Sequence, residues 1–213
     1  MKFKKFIVNP LQVNCYLLWD EDTREAAFID CGTWYSNEQK DITEFVKKED
    51  IHPILSLQTH MHFDHIWGAP FLFQEWGLKP YCHVLEKANY ERQPSMVRTF
   101  GIEFSLSSMP PVQYVLHEKD NIRLGSTDIE VIHTPGHSEG CISFYLKGEK
   151  LIFSGDTLFQ GSIGRTDFEG GSMEEEMVSL QKLFLLPDDT KVYPGHGPST
   201  TIGWEKECNP YWR

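Results

Sequence analysis

The sequence predicts an α+β chain in which two β-sheets pack together with helices on their outer sides. Two observations carry that expectation. Short segments rich in β-branched and aromatic residues twice give way to a helical stretch, and the order strands, helix, strands, helix suits layered sheets. Neither an internal repeat nor a linker divides the chain, so residues 1–213 are expected to form a single domain with a sizeable core.

The elements follow in order. Lys2–Val8, Asn14–Trp19 and Ala26–Ile29 read as strands, separated by turn chemistry at Asn9-Pro10, Asp20–Asp22 and Cys31-Gly32. Ser36 or Asn37 can cap a helix running to about Glu49, with Ile42, Phe45 and Val46 on one face. Pro53–Leu57 is a short strand entering a histidine cluster, Gly68–Trp76 is helical, and Lys79–His83 is a further strand. Residues 84–112 carry Pro94, Pro110, Pro111 and an SLSS run, which predict helix fragments and a mobile loop. Strands return at Asn121–Leu124, Asp128–His133, Cys141–Leu146 and Leu151–Phe153. Ser172 opens a helix with Glu174–Glu176 in its first turns, where acids favour the helix dipole, and Pro187 ends it. Lys191–Tyr193 is the last strand.

Composition narrows the partners. Thirty-one acids against 20 Lys and Arg leave a net charge of −11, which disfavours nucleic acid and anionic membranes. Asn9, Pro10 and Gln12 interrupt the first apolar stretch, so no signal peptide is expected, and no apolar run reaches membrane-spanning length. Five scattered cysteines without a CxxC pair imply reduced thiols and a cytoplasmic location.

The chemistry lies where strands end. Four times a short apolar strand runs into a turn bearing His or Asp: Thr59-His60-Met61-His62-Phe63-Asp64-His65, Thr134-Pro135-Gly136-His137, Ser154-Gly155-Asp156 and Pro194-Gly195-His196-Gly197. Residues two apart in extended chain point the same way, so His60 and His62 can share one metal. Asp64 and His65 then fall at the start of a helix and can turn toward a second ion. Histidine nitrogens and carboxylate oxygens suit Zn²⁺, with Fe or Mn also possible, and a carboxylate such as Asp156 can bridge two cations. A PGH turn or a lone Asp is usually structural. Three histidines and an aspartate within six positions are not, because they would repel when charged and lack partners when buried neutral. His52, His83, His117 and His133 take structural readings, as does Cys141, and Trp34 and Tyr35 suit ordinary packing better than a pocket wall.

The run His60-x-His62-x-Asp64-His65, with His137, Asp156 and His196 in that order, resembles the metallo-β-lactamase-fold hydrolases, in particular the glyoxalase II-like branch. The resemblance implies an αββα sandwich with its site at one edge between the sheets. It implies His60, His62 and His137 on a first metal, Asp64, His65 and His196 on a second, and Asp156 bridging. Two departures limit it. The chain has 17 residues after His196, where full-length hydroxyacylglutathione hydrolases have a helical C-terminal extension that binds glutathione. Its central loop reads GSIGRTDF (161–168), without the Lys and Tyr that contact glutathione in those enzymes. That loop type occurs in short glyoxalase II-like proteins and in iron-dependent persulfide dioxygenases.

The mechanism implied is hydrolysis by a metal-bridging hydroxide, with Asp64 and Asp156 as the catalytic carboxylates and a small-molecule thioester as substrate. Two divalent ions, two carboxylates and a hydroxide leave the site near one positive charge. No general acid is evident, and a thiolate, whose thiol has a pKa near 8.5, leaves without one more readily than an amine. Arg165 is the candidate for substrate carboxylate recognition, against a loop-anchoring ion pair with Asp167. The alternatives are a mononuclear iron persulfide dioxygenase and a non-catalytic metal-binding protein.

Overall fold

A computed structural model describes residues 1–212. Its elements are β1 Lys2–Val8, β2 Val13–Trp19, β3 Glu25–Ile29, α1 Ser36–Lys48, β4 His52–Leu57, α2 Phe63–Ile66, α3 Ala69–Trp76, β5 Pro80–His83, α4 Glu86–Arg98 and β6 Gln113–Leu116. There follow β7 Asn121–Leu124, β8 Thr127–His133, β9 Ile142–Leu146, β10 Leu151–Gly155, β11 Leu158–Phe159, β12 Ser162–Ile163, α5 Met173–Leu183, β13 Lys191–Pro194, β14 Thr200–Thr201 and α6 Ile202–Cys208.

Two six-stranded sheets result, ordered β1-β2-β3-β4-β5-β6 and β14-β13-β10-β9-β8-β7, beside a small β11-β12 hairpin. Both are mixed: β3 to β6 run parallel, and β13 pairs parallel with β10. This is the layered α+β sandwich of two sheets with helices outside that the sequence predicts. Alternation along β2 shows how the layers are sealed. Cys15, Leu17 and Trp19 pack outward with Ile42 and Val46 of α1 and Leu72 of α3, while Tyr16 and Leu18 pack inward. The inner layer joins them to Ile29, Leu57, Val131, Phe144 and Phe153 from both sheets. Leu180 and Leu183 of α5 cover the far side over Ile152 and Val192. No helix among the described residues is long and apolar enough to cross a membrane. All five cysteines are free, four of them buried.

The structure corrects the reading of residues 84–112. α4 is one continuous helix with Pro94 inside it, followed by a short 3₁₀ turn and then β6, which pairs parallel with β5. Pro94 removes one helical N–H, a local cost that buried polar contacts along the helix offset. α5 ends at Leu183 rather than Pro187. β12 lies in the stretch read as the central loop, while β11, β14 and α6 lie in stretches to which the sequence assigned no element; strands of two residues carry no periodic signal.

Candidate metal centre

The C-terminal ends of β4, β8, β10 and β13 deliver the predicted side chains to one edge of the sandwich. His60, His62 and His137 place one ligand atom each within 4.8 Å of one another, and Asp64, His65 and His196 form a second such group. Asp156 lies between them. Its Oδ1 is 3.5 Å from His65 Nε2, and its Oδ2 is 3.7 Å from His137 Nε2 and 3.6 Å from His196 Nε2. Asp64 Oδ2 sits 3.4 Å from His196 Nε2 and 3.7 Å from His65 Nε2. All seven predicted residues thus meet in one cluster.

Hydrogen bonding fixes which nitrogen each ring turns inward. His137 Nδ1 lies 2.8 Å from Arg165 O and His196 Nδ1 lies 3.1 Å from Leu11 O. Carbonyls only accept, so both Nδ1 atoms carry the proton and both Nε2 atoms face the cluster as lone pairs. His65 Nδ1 lies 3.1 Å from the Asp30 carboxylate, which leaves its Nε2 toward Asp64 and Asp156. Thr59 Oγ1 donates to Asp30 at 2.6 Å and so accepts from His60 Nδ1 at 3.1 Å, which leaves His60 Nε2 buried without a partner. His62 Nδ1 comes within 2.8 Å of His137 Nε2. Asp156 Oδ1 is likewise buried and unpartnered. Lone pairs and carboxylate oxygens converging out of reach of water are costly unless a cation lies among them. The residues fit divalent metal ions.

The electrostatics agree. Burial, together with neighbouring histidines, keeps the His60 imidazole well below its ordinary range and holds His62 at about 3, so both are neutral ligands at pH 7. Burial pushes the Asp64 and Asp156 carboxyls up, but nearby histidines, His65 foremost, outweigh it and hold both low. Burial opposes charge on His65, yet Asp156 and Asp64 raise its imidazole well above the usual range.

Several residues that build the site escaped the sequence reading. Asp30 follows β3 in a left-handed conformation (φ 52°) and accepts from Thr59 N at 2.8 Å as well as from its hydroxyl. It also falls within ligand distance of His60 and His65, and through Thr59 and its approach to His65 Nδ1 it is placed to orient both rings. Glu86 opens α4 fully buried. Its Oε2 accepts from Met61 N and Asn89 Nδ2, both at 2.7 Å, and its Oε1 accepts from Ser138 Oγ and Gly140 N. Gln93, two turns further on, accepts from Phe63 N at 2.9 Å. α4 thus takes the backbone N–H groups of Met61 and Phe63, the residues alternating with the ligands. Asn14 and Tyr16 of the first sheet donate to Pro194 O at 2.9 and 2.8 Å, tying the His196 turn across the sandwich. Gly195 must be glycine because a Cβ there would overlap the Asp156 carboxylate and lie 2.7 Å from His65 Cε1.

Other candidates take no part in the ligand cluster itself. The Arg165 guanidinium is held by Asp167 at 2.7 and 2.8 Å and lies over the Phe168 ring at 3.8 Å. Trp34 packs on Trp67, which packs on Phe63, so only Phe63 of that stack reaches the site. Burial raises the Cys141 thiol well above its ordinary range, which keeps it inert. His52 and His117 are exposed.

His133 stacks on buried His83 at 4.3 Å, away from the metal cluster. Burial, reinforced by His133 and His117 against the opposing charge of Asp120, lowers the His83 imidazole to about 4. The unfolded chain therefore takes up a proton near 6.5 that the folded chain resists. Stability present above pH 6.5 is lost as the pH falls toward 4. His83→Asn, which keeps an acceptor for Leu85 N–H, is expected to flatten the decline of the urea midpoint across that window. Parallel curves for variant and wild type would contradict the assignment.

A cavity of about 380 Å³ opens onto the cluster, with His62, Asp64, His137, Asp156 and His196 at its base. With that geometry in view, comparison with known proteins decides the family. A family model of the metallo-beta-lactamase superfamily matches residues 8–196, a span containing every residue of the cluster. The chain belongs to the metallo-beta-lactamase superfamily. Hydroxyacylglutathione hydrolase GloC of Haemophilus influenzae is 36% identical over 206 residues, covering 96% of this chain and 94% of its own. The BLEG-1 B3 metallo-beta-lactamase superposes with a TM-score of 0.88 at 34% identity over 99% of both chains. The protein TTHA1623, solved in a di-iron-bound form, superposes with a TM-score of 0.85 at 34% identity, covering 98% of this chain and 99% of its own. The superfamily is one of metallo-hydrolases, and its fold together with this His/Asp cluster implies divalent metal.

Proposed function

We propose that the chain hydrolyses small-molecule thioesters at a dinuclear metal site, in the glyoxalase II-like branch of its superfamily. The carrying observation is that the Asp156 carboxylate reaches both groups of inward-facing ligands, with Oδ1 beside His65 and Oδ2 beside both His137 and His196. In this reading His60, His62 and His137 hold one ion, Asp64, His65 and His196 hold the other, and Asp156 serves both. Zinc suits the donor set, and iron or manganese is compatible with it; the di-iron relative supports the latter range. Divalent ions bound here supply Lewis acidity, which polarises a carbonyl and brings the pKa of water down to about 7.

The overall reaction adds water across the acyl C–S bond. A C–O bond forms, the C–S bond breaks, and the proton released by water ends on the departing sulfur or in solvent. Apart from the five ligand residues at its base, the described side chains lining the cavity are apolar or, in Arg165, a cation fixed by Asp167. None offers a proton to a poor leaving group, which supports a thiolate over an amine. The similarity to GloC supports the same choice, while the similarity to BLEG-1 makes a β-lactam the natural comparison substrate. A mononuclear iron dioxygenase would leave Asp64, His65 and His196 without a task. The reduced cysteines support a cytoplasmic enzyme.

Elemental analysis of protein purified without chelator, combined with thioester and β-lactam hydrolysis assays, tests this reading. The expected result is close to two transition ions per chain and higher kcat/KM on thioesters. A fully active preparation holding a single ion would overturn the dinuclear assignment. Oxygen consumption with a persulfide, iron bound and no thioester turned over, would replace it with the dioxygenase.

A further inference from the structure

Above the metal ligands the cavity is walled by Leu11, Phe63, Met96, Phe100, Ile102 and Phe168. The wall comes from four places: the β1–β2 turn, the start of α2, the end of α4 with the segment that follows, and the loop before α5. Phe100 and Leu11 are about half exposed, at 55% and 47%, although large apolar side chains beside water usually lose free energy there. Among the described residues, Arg165 is the one non-histidine cation lining the cavity, and the bidentate contact with Asp167 already balances its charge. Such a cavity suits an uncharged, apolar group and offers no site for a substrate carboxylate. Its volume, about 380 Å³, matches a small substituent rather than a large cofactor-like carrier.

We propose, building on the thioesterase reading, that this cavity receives an apolar acyl chain and that Met96, Phe100 and Ile102 set the preference for it. The acyl carbon is where water adds, so its substituent must lie beside the cluster, against Phe63 and Phe168. The leaving thiolate needs water or a cation, and the apolar wall supplies neither, so it faces the open mouth. The substrate class is then the medium-chain or aromatic acyl thioester of a small thiol, rather than the polar hydroxyacyl ester of a charged peptide thiol.

The test uses metal-loaded enzyme and acetyl, butanoyl, hexanoyl and lactoyl thioesters of one neutral thiol, N-acetylcysteamine. Each methylene buried against the wall is expected to raise kcat/KM roughly fourfold, the transfer worth of a CH₂ group, up to hexanoyl. The double variant Met96→Ser/Phe100→Ser is expected to reduce that slope to less than about twofold per methylene. Calorimetric binding of the product carboxylates gives a readout apart from turnover: hexanoate should bind at least about tenfold more tightly than acetate, and the double variant should narrow the gap. Hydrolysis that is flat or falls with chain length, or equal binding of the two carboxylates, overturns the acyl-cavity assignment. Chain-length-dependent binding with no thioester turned over leaves the apolar cavity standing and overturns the thioesterase reading instead.

Discussion

Asp156→Asn is expected to lower thioester hydrolysis by at least about 10²-fold, the scale on which loss of a positioned electrostatic group acts. The carboxylate lies 3.5–3.7 Å from three histidine nitrogens belonging to both ligand groups. His65, the strongest of its favourable neighbours, outweighs the cost of burial and holds the carboxyl well below its ordinary range. It is therefore an anion at neutral pH. Asparagine removes that charge and turns an N–H₂ donor toward lone pairs that need a cation. The ion count per chain should fall with activity, which separates a lost ligand from a merely altered pocket. His52→Ala and His117→Ala, at exposed positions remote from the cluster, should stay near wild type. If Asp156→Asn and His52→Ala proved equally active, the role given to Asp156 would be abandoned.

How much of this was readable in advance depended on whether the signal was local. The strands around the site announce themselves by alternation and turn residues, and the His60–His65 run by a chemistry that packing alone does not explain. Asp156 and the two Pro-Gly-His turns gained meaning only through repetition at strand ends. Asp30 had no such context. One aspartate before Cys31-Gly32 reads as a turn residue, and its hold on Thr59 and His65 exists only once β3 and β4 lie side by side. Glu86 was harder still, because its partners lie 25, 52 and 54 positions away and its helix contains a proline. Residues 84–112 looked irregular because α4 follows no clean apolar stripe: Glu86, Asn89 and Gln93, on one face, are buried for their hydrogen bonds. A helix whose buried face is polar defeats a reading based on hydrophobic period. Arg165 went the other way, since its side chain pairs locally while its backbone carbonyl orients His137.

Glu86→Gln is expected to cost stability and to loosen both metal-bearing loops together. All four partners of this side chain are donors: Met61 N and Asn89 Nδ2 at Oε2, Ser138 Oγ and Gly140 N at Oε1. A glutamine must turn its own N–H₂ toward one of those pairs. Facing Gly140, it strands a backbone N–H of the His137 loop; facing Met61, it strands one in the His60–His65 run. Asn89 cannot relieve the conflict by flipping, because its Oδ1 already accepts from Gln93 Nε2 at 2.9 Å. A buried donor left unsatisfied costs about 1–3 kcal/mol, and the bonds that remain lose their charge assistance. A total near 3 kcal/mol is a large part of the roughly 5–15 kcal/mol that holds a domain of this size. At about 2–4 °C per kcal/mol, Tm should fall by roughly 6–12 °C. Glu91→Gln, on the exposed face of the same helix, should change stability by less than about 0.5 kcal/mol. Amide exchange distinguishes local positioning from general weakening, because Met61 and Gly140 should lose protection before the inner strands do. Melting within a degree of the Glu91→Gln control, with both amides still protected, would mean that α4 does not hold the two loops.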